Sequence, residues 1–142
     1  MPASYTVKNL DEVPDSAPQF GLEEFQKTRF AHGDLDTEQT GFTHHRIEAN
    51  ARPPFAHRHQ RAEEVYVVLS GSGRVKLDDE ILEIETHDAI RVAPSVTRAW
   101  EAGAEGLELL AFGPHHEDDG EVVLDWDRLM APDETPAGSS PN

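Results

Sequence analysis

A short apolar run at residues 65–69, Val-Tyr-Val-Val-Leu, constrains the fold more than any other part of this sequence. Its residues are β-branched, aromatic or aliphatic, which is typical of a buried strand, and Ser70-Gly71-Ser72-Gly73 follows with residues that favour a turn. Similar short patterns recur between Gly, Pro and Asp residues, with no long helical periodicity between them. This spacing predicts an all-β barrel or sandwich.

Further strands are expected on both sides of this run. Residues 42–48 and 55–59 are candidates before it, and residues 22–31 are ambiguous between helix and strand. After it, residues 74–77 and 81–85 flank an acidic turn, which predicts a hairpin. Residues 90–92 predict an outer strand, and residues 107–112 predict a central one because only Glu108 interrupts their apolar character.

Two histidines and a glutamate stand beside the apolar run. His57 and His59 are two positions apart, so their imidazoles project from the same face of an extended strand, and Glu64 leads into the run. Two imidazoles and a carboxylate from adjacent strands are a ligand set for divalent iron, manganese or zinc. The alternative is a chance pairing, because the chain has 8 histidines. Of the neighbours His44 and His45, only one can face inward, where it could serve as a reserve ligand.

These residues resemble the first conserved motif of the cupins, which are small antiparallel β-barrels. The resemblance lies in His57-x-His59, four residues, Glu64, six residues and Gly71. A stretch resembling the second cupin motif follows at residues 87–100, where Arg98 stands at the position of the usual metal-binding histidine.

The resemblance covers about residues 40–113. It implies an all-β, antiparallel β-barrel (a cupin-like double-stranded β-helix, or jelly roll) at residues 21–114. Residues 1–20 would form an N-terminal arm, and residues 115–142 an acidic, largely flexible tail. As cofactor we expect a divalent metal (Fe, Mn, Zn or Ni) at His57, His59 and Glu64, and no organic cofactor.

Arg98 leaves two alternatives open. Its guanidinium stays charged, so inside a barrel it needs an anionic partner. It could pair with Glu64 and compete with a metal for that carboxylate, or it could bind the carboxylate of a substrate. Tyr66 is two positions after Glu64, and Trp100 is two positions after Arg98, so on extended strands the side chains of each pair project from the same face. We therefore expect Arg98, Tyr66 and Trp100 to line a ligand pocket.

The charge of the chain limits its partners. It has 28 acidic and 12 basic residues, a formal net charge of −16, and no cysteine. Such a surface repels phosphate backbones and anionic lipid, so we expect neither a nucleic-acid nor a membrane partner. A disulfide framework and a thiolate site are excluded. Residues 1–5 show no signal pattern, and no apolar run approaches membrane-spanning length, which favours a cytoplasmic location.

Two classes of function remain open. The first is a cupin-type barrel that binds a small-molecule ligand, with a candidate divalent-metal site. The alternative is a metal-dependent dioxygenase or isomerase acting on a small carboxylate or polyol; the sequence does not decide whether the protein is an enzyme. The resemblance further suggests a homodimer in which the N-terminal arm or first strand crosses to the partner, since this would cover an edge strand.

Overall fold

One curled antiparallel sheet of eight strands dominates the computed structural model, which describes residues 4–123. The helical segments are short: 3₁₀ turns at Leu10–Glu12 and Ala17–Phe20, and helix α1 at His32–Leu35. The predicted all-β barrel is therefore confirmed. Its strands are β1 (Gln26–Phe30), β2 (Thr40–Ile47), β3 (Ala56–His59), β4 (Glu64–Leu77), β5 (Glu80–Glu85), β6 (Ala89–Val92), β7 (Arg98–Pro114) and β8 (Gly120–Val123).

Strands β4 and β7 are the two longest strands and lie at the centre of the sheet. They pair with each other, and between them they also pair with β2, β3, β5 and β6. The hairpin predicted from the acidic turn is present, with Leu77 opposite Glu80. Because β4 begins at Glu64 and β3 ends at His59, the two strands bring the glutamate and histidines of the first motif to one region.

The turn predicted at residues 70–73 is wrong. Strand β4 continues through it, with register shifts against β7 between Val68 and Ser70 and between Gly71 and Gly73. The glycines allow the two strands to approach closely. A Cβ on Gly71 would lie 2.0 Å from the carbonyl oxygen of Gly106, and a Cβ on Gly73 would lie 2.1 Å from that of Glu101. Gly-Ser-Gly therefore bends a long strand here and does not end it.

The N-terminal segment packs along β1. Val13 and Ala17 are buried, and the side chain of Asp15 accepts hydrogen bonds from the backbone N–H groups of Ala17 and Thr28, both at 2.9 Å. Arg29 on β1 donates from Nε to the carbonyl oxygen of Val13 at 3.0 Å. These contacts tie residues 13–17 to the edge of the sheet.

The sheet continues past residue 114. Strand β8 pairs antiparallel with β3, with His57 opposite Val122 and His59 opposite Gly120. Four residues of the segment that the sequence analysis assigned to the acidic tail thus belong to the sheet beside the metal motif. Residues 115–119 of that segment connect β7 to β8, and residues 124–142 lie outside the described residues.

The apolar core fills one part of the interior between β4 and β7. Its buried members include Val68, Val75, Trp100, Leu107 and Leu109. Tyr66 and Ala111 belong both to this core and to the wall of a cavity on its other side. No helix within residues 4–123 is long and apolar enough to cross a membrane.

Candidate metal centre and ligand cavity

The main cavity has a volume of about 710 Å³ and opens next to the first motif. Residues from β1, β2, β3, β4, β7 and β8 line it, among them His57, His59, Glu64 and Tyr66. A second cavity of about 630 Å³, bordered by Arg74 and Glu101, contains none of the predicted site residues. We therefore place the candidate site in the main cavity.

His57, His59 and Glu64 converge on one point of this cavity. Each offers a ligand atom, and these atoms all lie within 4.8 Å of one another, the one such group of three among residues 4–123. Glu64 Oε1 lies 3.2 Å from His59 Nε2 and 3.7 Å from His57 Nε2. A metal bound at ordinary Zn–N and Zn–O lengths holds its ligand atoms about 3 to 3.5 Å apart. Small side-chain adjustments would therefore allow one ion to bind all three.

Burial prepares the two histidines for metal binding in different ways. Burial lowers the pKa of His57, although the neighbouring Glu64 partly opposes this effect. Both ring nitrogens of His59 are buried and have no hydrogen-bond partner, because their approaches to Glu64 and Asp119 have the distance but not the geometry of a hydrogen bond. A buried imidazole nitrogen without a hydrogen-bond partner is suited to ligate a metal.

Glu64 is held as a carboxylate. Burial by itself would raise its pKa, but contacts with His57, His59 and Tyr66 outweigh burial and hold the pKa well below its usual range. The hydroxyl of Tyr66 donates to Glu64 Oε1 at 2.5 Å and lies 3.4 Å from His57 Nε2. Burial and the charge of Glu64 raise the pKa of Tyr66 well above its ordinary value, so its hydroxyl stays protonated.

Arg98 pairs with Glu64, the first of the two alternatives. Its side chain is fully buried, and Nη1 donates to Glu64 Oε1 at 2.9 Å. Nε and Nη2 donate to backbone carbonyl oxygens of Ala93, Pro94 and Val96 at 2.8–3.1 Å. These bonds occupy the guanidinium behind the glutamate and leave it unable to clamp a ligand. A metal would have to share Glu64 with it.

Of the three residues expected to line a ligand pocket, the cavity wall includes Tyr66, while Arg98 and Trp100 lie outside it. Trp100 packs against Tyr66 with ring centroids 4.6 Å apart, on the core side. Arg98 thus contacts Glu64, and Trp100 contacts Tyr66, on the side that faces away from the cavity. The alternation of side chains along a strand predicted that both would face the cavity, but it could not show that they would be buried behind its wall.

The neighbouring histidines of β2 face opposite sides of the sheet. His45 lines the cavity, and burial followed by the nearby His57 lowers its pKa to about 4. It is not part of the group of three ligand atoms. His44 faces the other way and bonds Glu108, with Nε2 2.7 Å from Oε2.

Asp119 is a site residue that the sequence analysis missed. Its carboxylate accepts hydrogen bonds from the backbone N–H groups of Arg61 and Ala62, both at 2.9 Å, and Oδ2 lies 3.3 Å from His59 Nδ1. Backing of a metal-binding histidine by a carboxylate is a common arrangement that fixes the ring. A sequence signal existed: Asp119-Gly120 followed by Glu-Val-Val is typical of a turn that leads into a strand.

Known proteins with similar sequences and structures agree with this fold. A protein-family model described as a cupin domain matches residues 43–113, half of the chain. An uncharacterised protein of Methanocaldococcus jannaschii is 31% identical over 70 residues, a match that spans 47% of this chain and only 56% of that relative.

Three solved structures illustrate the structural likeness. A cupin protein from Bacteroides fragilis has 22% identity and a TM-score of 0.63, covering 82% of this chain and 88% of its own. The polyketide cyclase RemF from Streptomyces resistomycificus has 16% identity and a TM-score of 0.69, covering 89% and 92%. A tryptophan-to-tyrosine variant of Bacillus subtilis oxalate decarboxylase has 22% identity and a TM-score of 0.64, covering 80% and 32%. At these identities the structural likeness shows the fold alone. Because the cupin family model matches half of the sequence, the chain belongs to the cupin family.

Proposed function

We propose that the protein binds a small molecule in the main cavity and holds a divalent metal ion (Fe, Mn, Zn or Ni) with His57, His59 and Glu64. The observation that carries this proposal is His59, whose ring nitrogens are buried without hydrogen-bond partners beside an ionised carboxylate. Burying polar atoms without partners costs free energy, and ligation to a metal would remove that cost for Nε2.

A metal at this position would act as a Lewis acid with coordination positions left for water or a ligand. The chain's own residues would support such an ion: Asp119, whose Oδ2 lies 3.3 Å from His59 Nδ1, would accept a hydrogen bond from the ring after a small adjustment, and Tyr66 and Arg98 hold Glu64 by hydrogen bonds. Because Arg98 shares the carboxylate, we expect weaker metal binding than in a barrel with a histidine at position 98.

Metal analysis tests this proposal. Chelator-treated protein is dialysed against each of the four ions in turn, and bound metal is measured by mass spectrometry. We expect about one equivalent in the wild type, and loss of most of it in His57→Ala and His59→Ala. His87→Asn, which removes an exposed imidazole from a turn, is the matched control. Failure of the wild type to retain any of the four ions would refute the metal assignment, as would unchanged metal in both alanine variants.

The second candidate is an enzyme, a metal-dependent dioxygenase or isomerase. Two histidines and one carboxylate can leave three positions for substrate and water on an octahedral ion, which favours this candidate. The hydroxyl of Tyr66, between Glu64 and His57, could also hold or move a proton. Oxygen uptake by the iron-loaded protein over a panel of small hydroxylated compounds, compared with Glu64→Gln, distinguishes a dioxygenase from a binding protein.

We also propose a homodimer. Within residues 4–123, β1 pairs with no strand other than β2, and residues 15–16 bond only Thr28 on its other edge, so this edge is covered only in part. Tyr5 and Val7, in the arm that precedes it, are 81% and 88% exposed. Burial of these side chains and of the edge against a second copy would remove both exposures. A monomer in sedimentation at micromolar concentration would contradict this proposal.

A further inference from the structure

The walls of the main cavity are aromatic and apolar to an unusual degree for this acidic chain. Phe20, Phe30 and Val122 are exposed by 61%, 41% and 60%, and all three line the cavity mouth. Phe20 and Phe30 form an edge-to-face pair with centroids 6.2 Å apart. Deeper in the cavity, Phe55 stacks on His57 at 6.4 Å. Exposed aromatic side chains grouped around one opening indicate a surface that is covered by an apolar ligand.

The Asp, Glu, Lys and Arg side chains that line this cavity are all acidic. The described lining contains five acidic residues, Glu64, Glu117, Asp118, Asp119 and Glu121, and no lysine or arginine. Glu121 is paired with Arg58 at 3.1 Å, and Asp119 is held by backbone N–H groups. Glu117 and Asp118 remain exposed at the rim. Arg98, the one buried cation near the floor, is already bonded to Glu64. An anionic ligand therefore meets repulsion at the entrance and no free cation inside.

Most of the accessible surface of the cavity wall is apolar, although its lining also includes polar side chains such as Gln26, Thr28 and Thr43. His45, His57 and Tyr66 lie in this lining and offer hydrogen-bond donors and acceptors beside Glu64. These groups suit a hydroxyl or carbonyl group on an otherwise apolar compound, and the apolar surface around them would leave many hydroxyls of a polyol without hydrogen-bond partners.

We infer that the cavity binds an uncharged, ring-containing compound with one or two hydroxyl or carbonyl groups, and that it discriminates against carboxylates and polyols. This inference rests on the small-molecule-binding role proposed above but does not require the metal. It narrows the substrate classes expected from the sequence, because the arginine expected to bind a carboxylate is bonded within the protein.

Matched probes test the inference. Binding of 2-naphthol, 2-naphthoate and sorbitol is measured by calorimetry on chelator-treated protein and on protein loaded with zinc. We expect 2-naphthol to bind about tenfold more tightly than 2-naphthoate in both forms, and sorbitol not to bind. The two naphthalene probes share one ring system, so the difference between them reports charge.

Two pairs of variants test separately the charge of the rim and the aromatic wall of the cavity. Glu117→Gln/Asp118→Asn should reduce the preference for naphthol, while Asp79→Asn/Glu80→Gln, with the same charge change at the β4–β5 turn, should leave it unchanged. Phe30→Ala should weaken naphthol binding by about fivefold. Leu82→Ala is its control, since Leu82 is also 41% exposed but lies outside the cavity.

The outcomes distinguish this inference from the metal assignment. A preference for naphthol in both forms supports the inference even if no zinc is retained. A preference for naphthoate in the zinc-loaded form alone overturns it while supporting the metal site. Failure of naphthol to bind in either form, or equal effects of the rim variant and its control, also overturns it.

Discussion

The buried pair of Arg98 and Glu64 allows the sharpest single test of the site. Arg98 is fully buried, and its guanidinium reaches Glu64 Oε1 and backbone carbonyl oxygens between residues 93 and 96. Arg98→Met keeps much of the length of the side chain and removes its charge and all of its donors. Glu64 then remains as a poorly solvated carboxylate without its cation.

The expected cost follows from that geometry. Removing one partner of a buried ion pair typically destabilises a protein by about 3–5 kcal/mol. Glu64→Gln/Arg98→Met removes both charges, so we expect it to be at least about 1 kcal/mol more stable than Arg98→Met alone. A divalent ion can replace the lost cation. At a free metal concentration of about 100 times Kd, Arg98→Met should therefore recover about 2.7 kcal/mol, and the double variant should recover little.

Urea unfolding followed by circular dichroism measures these differences at one fixed protein concentration, with and without zinc. Arg98→His is a companion variant: it offers a fourth ligand, the third imidazole of the set, and should bind metal more tightly than the wild type. The reasoning fails if Arg98→Met unfolds within about 1 kcal/mol of the wild type. It also fails if the double variant is no more stable than the single one.

Three further predictions follow from other contacts. Asp119→Asn should lower metal affinity by about 10- to 100-fold, measured by competition with a chelating dye, because Asp119 lies 3.3 Å from His59 Nδ1 and would orient the ring in the metal-bound state. Gly73→Ala should destabilise the fold by about 1–3 kcal/mol in urea unfolding, because its Cβ would lie 2.1 Å from a carbonyl oxygen of β7. Contact with His44 lowers the pKa of Glu108 below its ordinary value of 4.5, so Glu108 stabilises the fold above that pH. The stability difference between the wild type and Glu108→Gln should therefore shrink as the pH falls through the folded-state pKa, below 4.5.

Two of these predictions have close controls. Asp118→Asn removes a neighbouring exposed carboxylate and should leave metal affinity unchanged. Gly33→Ala, in helix α1, meets no atom within 4 Å and should stabilise the fold slightly, because alanine favours a helix. Equal losses in a variant and its control would contradict the proposed cause. A Glu108→Gln difference that persists below the folded-state pKa would contradict the third prediction.

The sequence by itself determined the fold class and the set of residues that converge. Alternation of apolar and polar residues is a local property, and it predicted the strands because side chains on a strand alternate between faces. The spacing of His57, His59 and Glu64 was informative for the same reason. Two residues on one strand share a face, and a glutamate at the start of the next strand lies beside them.

Tertiary structure decided everything that depends on partners far away in the chain. Gly71 and Gly73 resemble a turn locally, and only the approach of β7 shows that they let a long strand bend. Arg98 could pair with Glu64 or with a ligand, and burial of its guanidinium decided in favour of Glu64. Asp119 became a site residue only through the pairing of β8 with β3. Burial and long-range pairing arise when the sheet closes, so the local pattern of the sequence does not contain them.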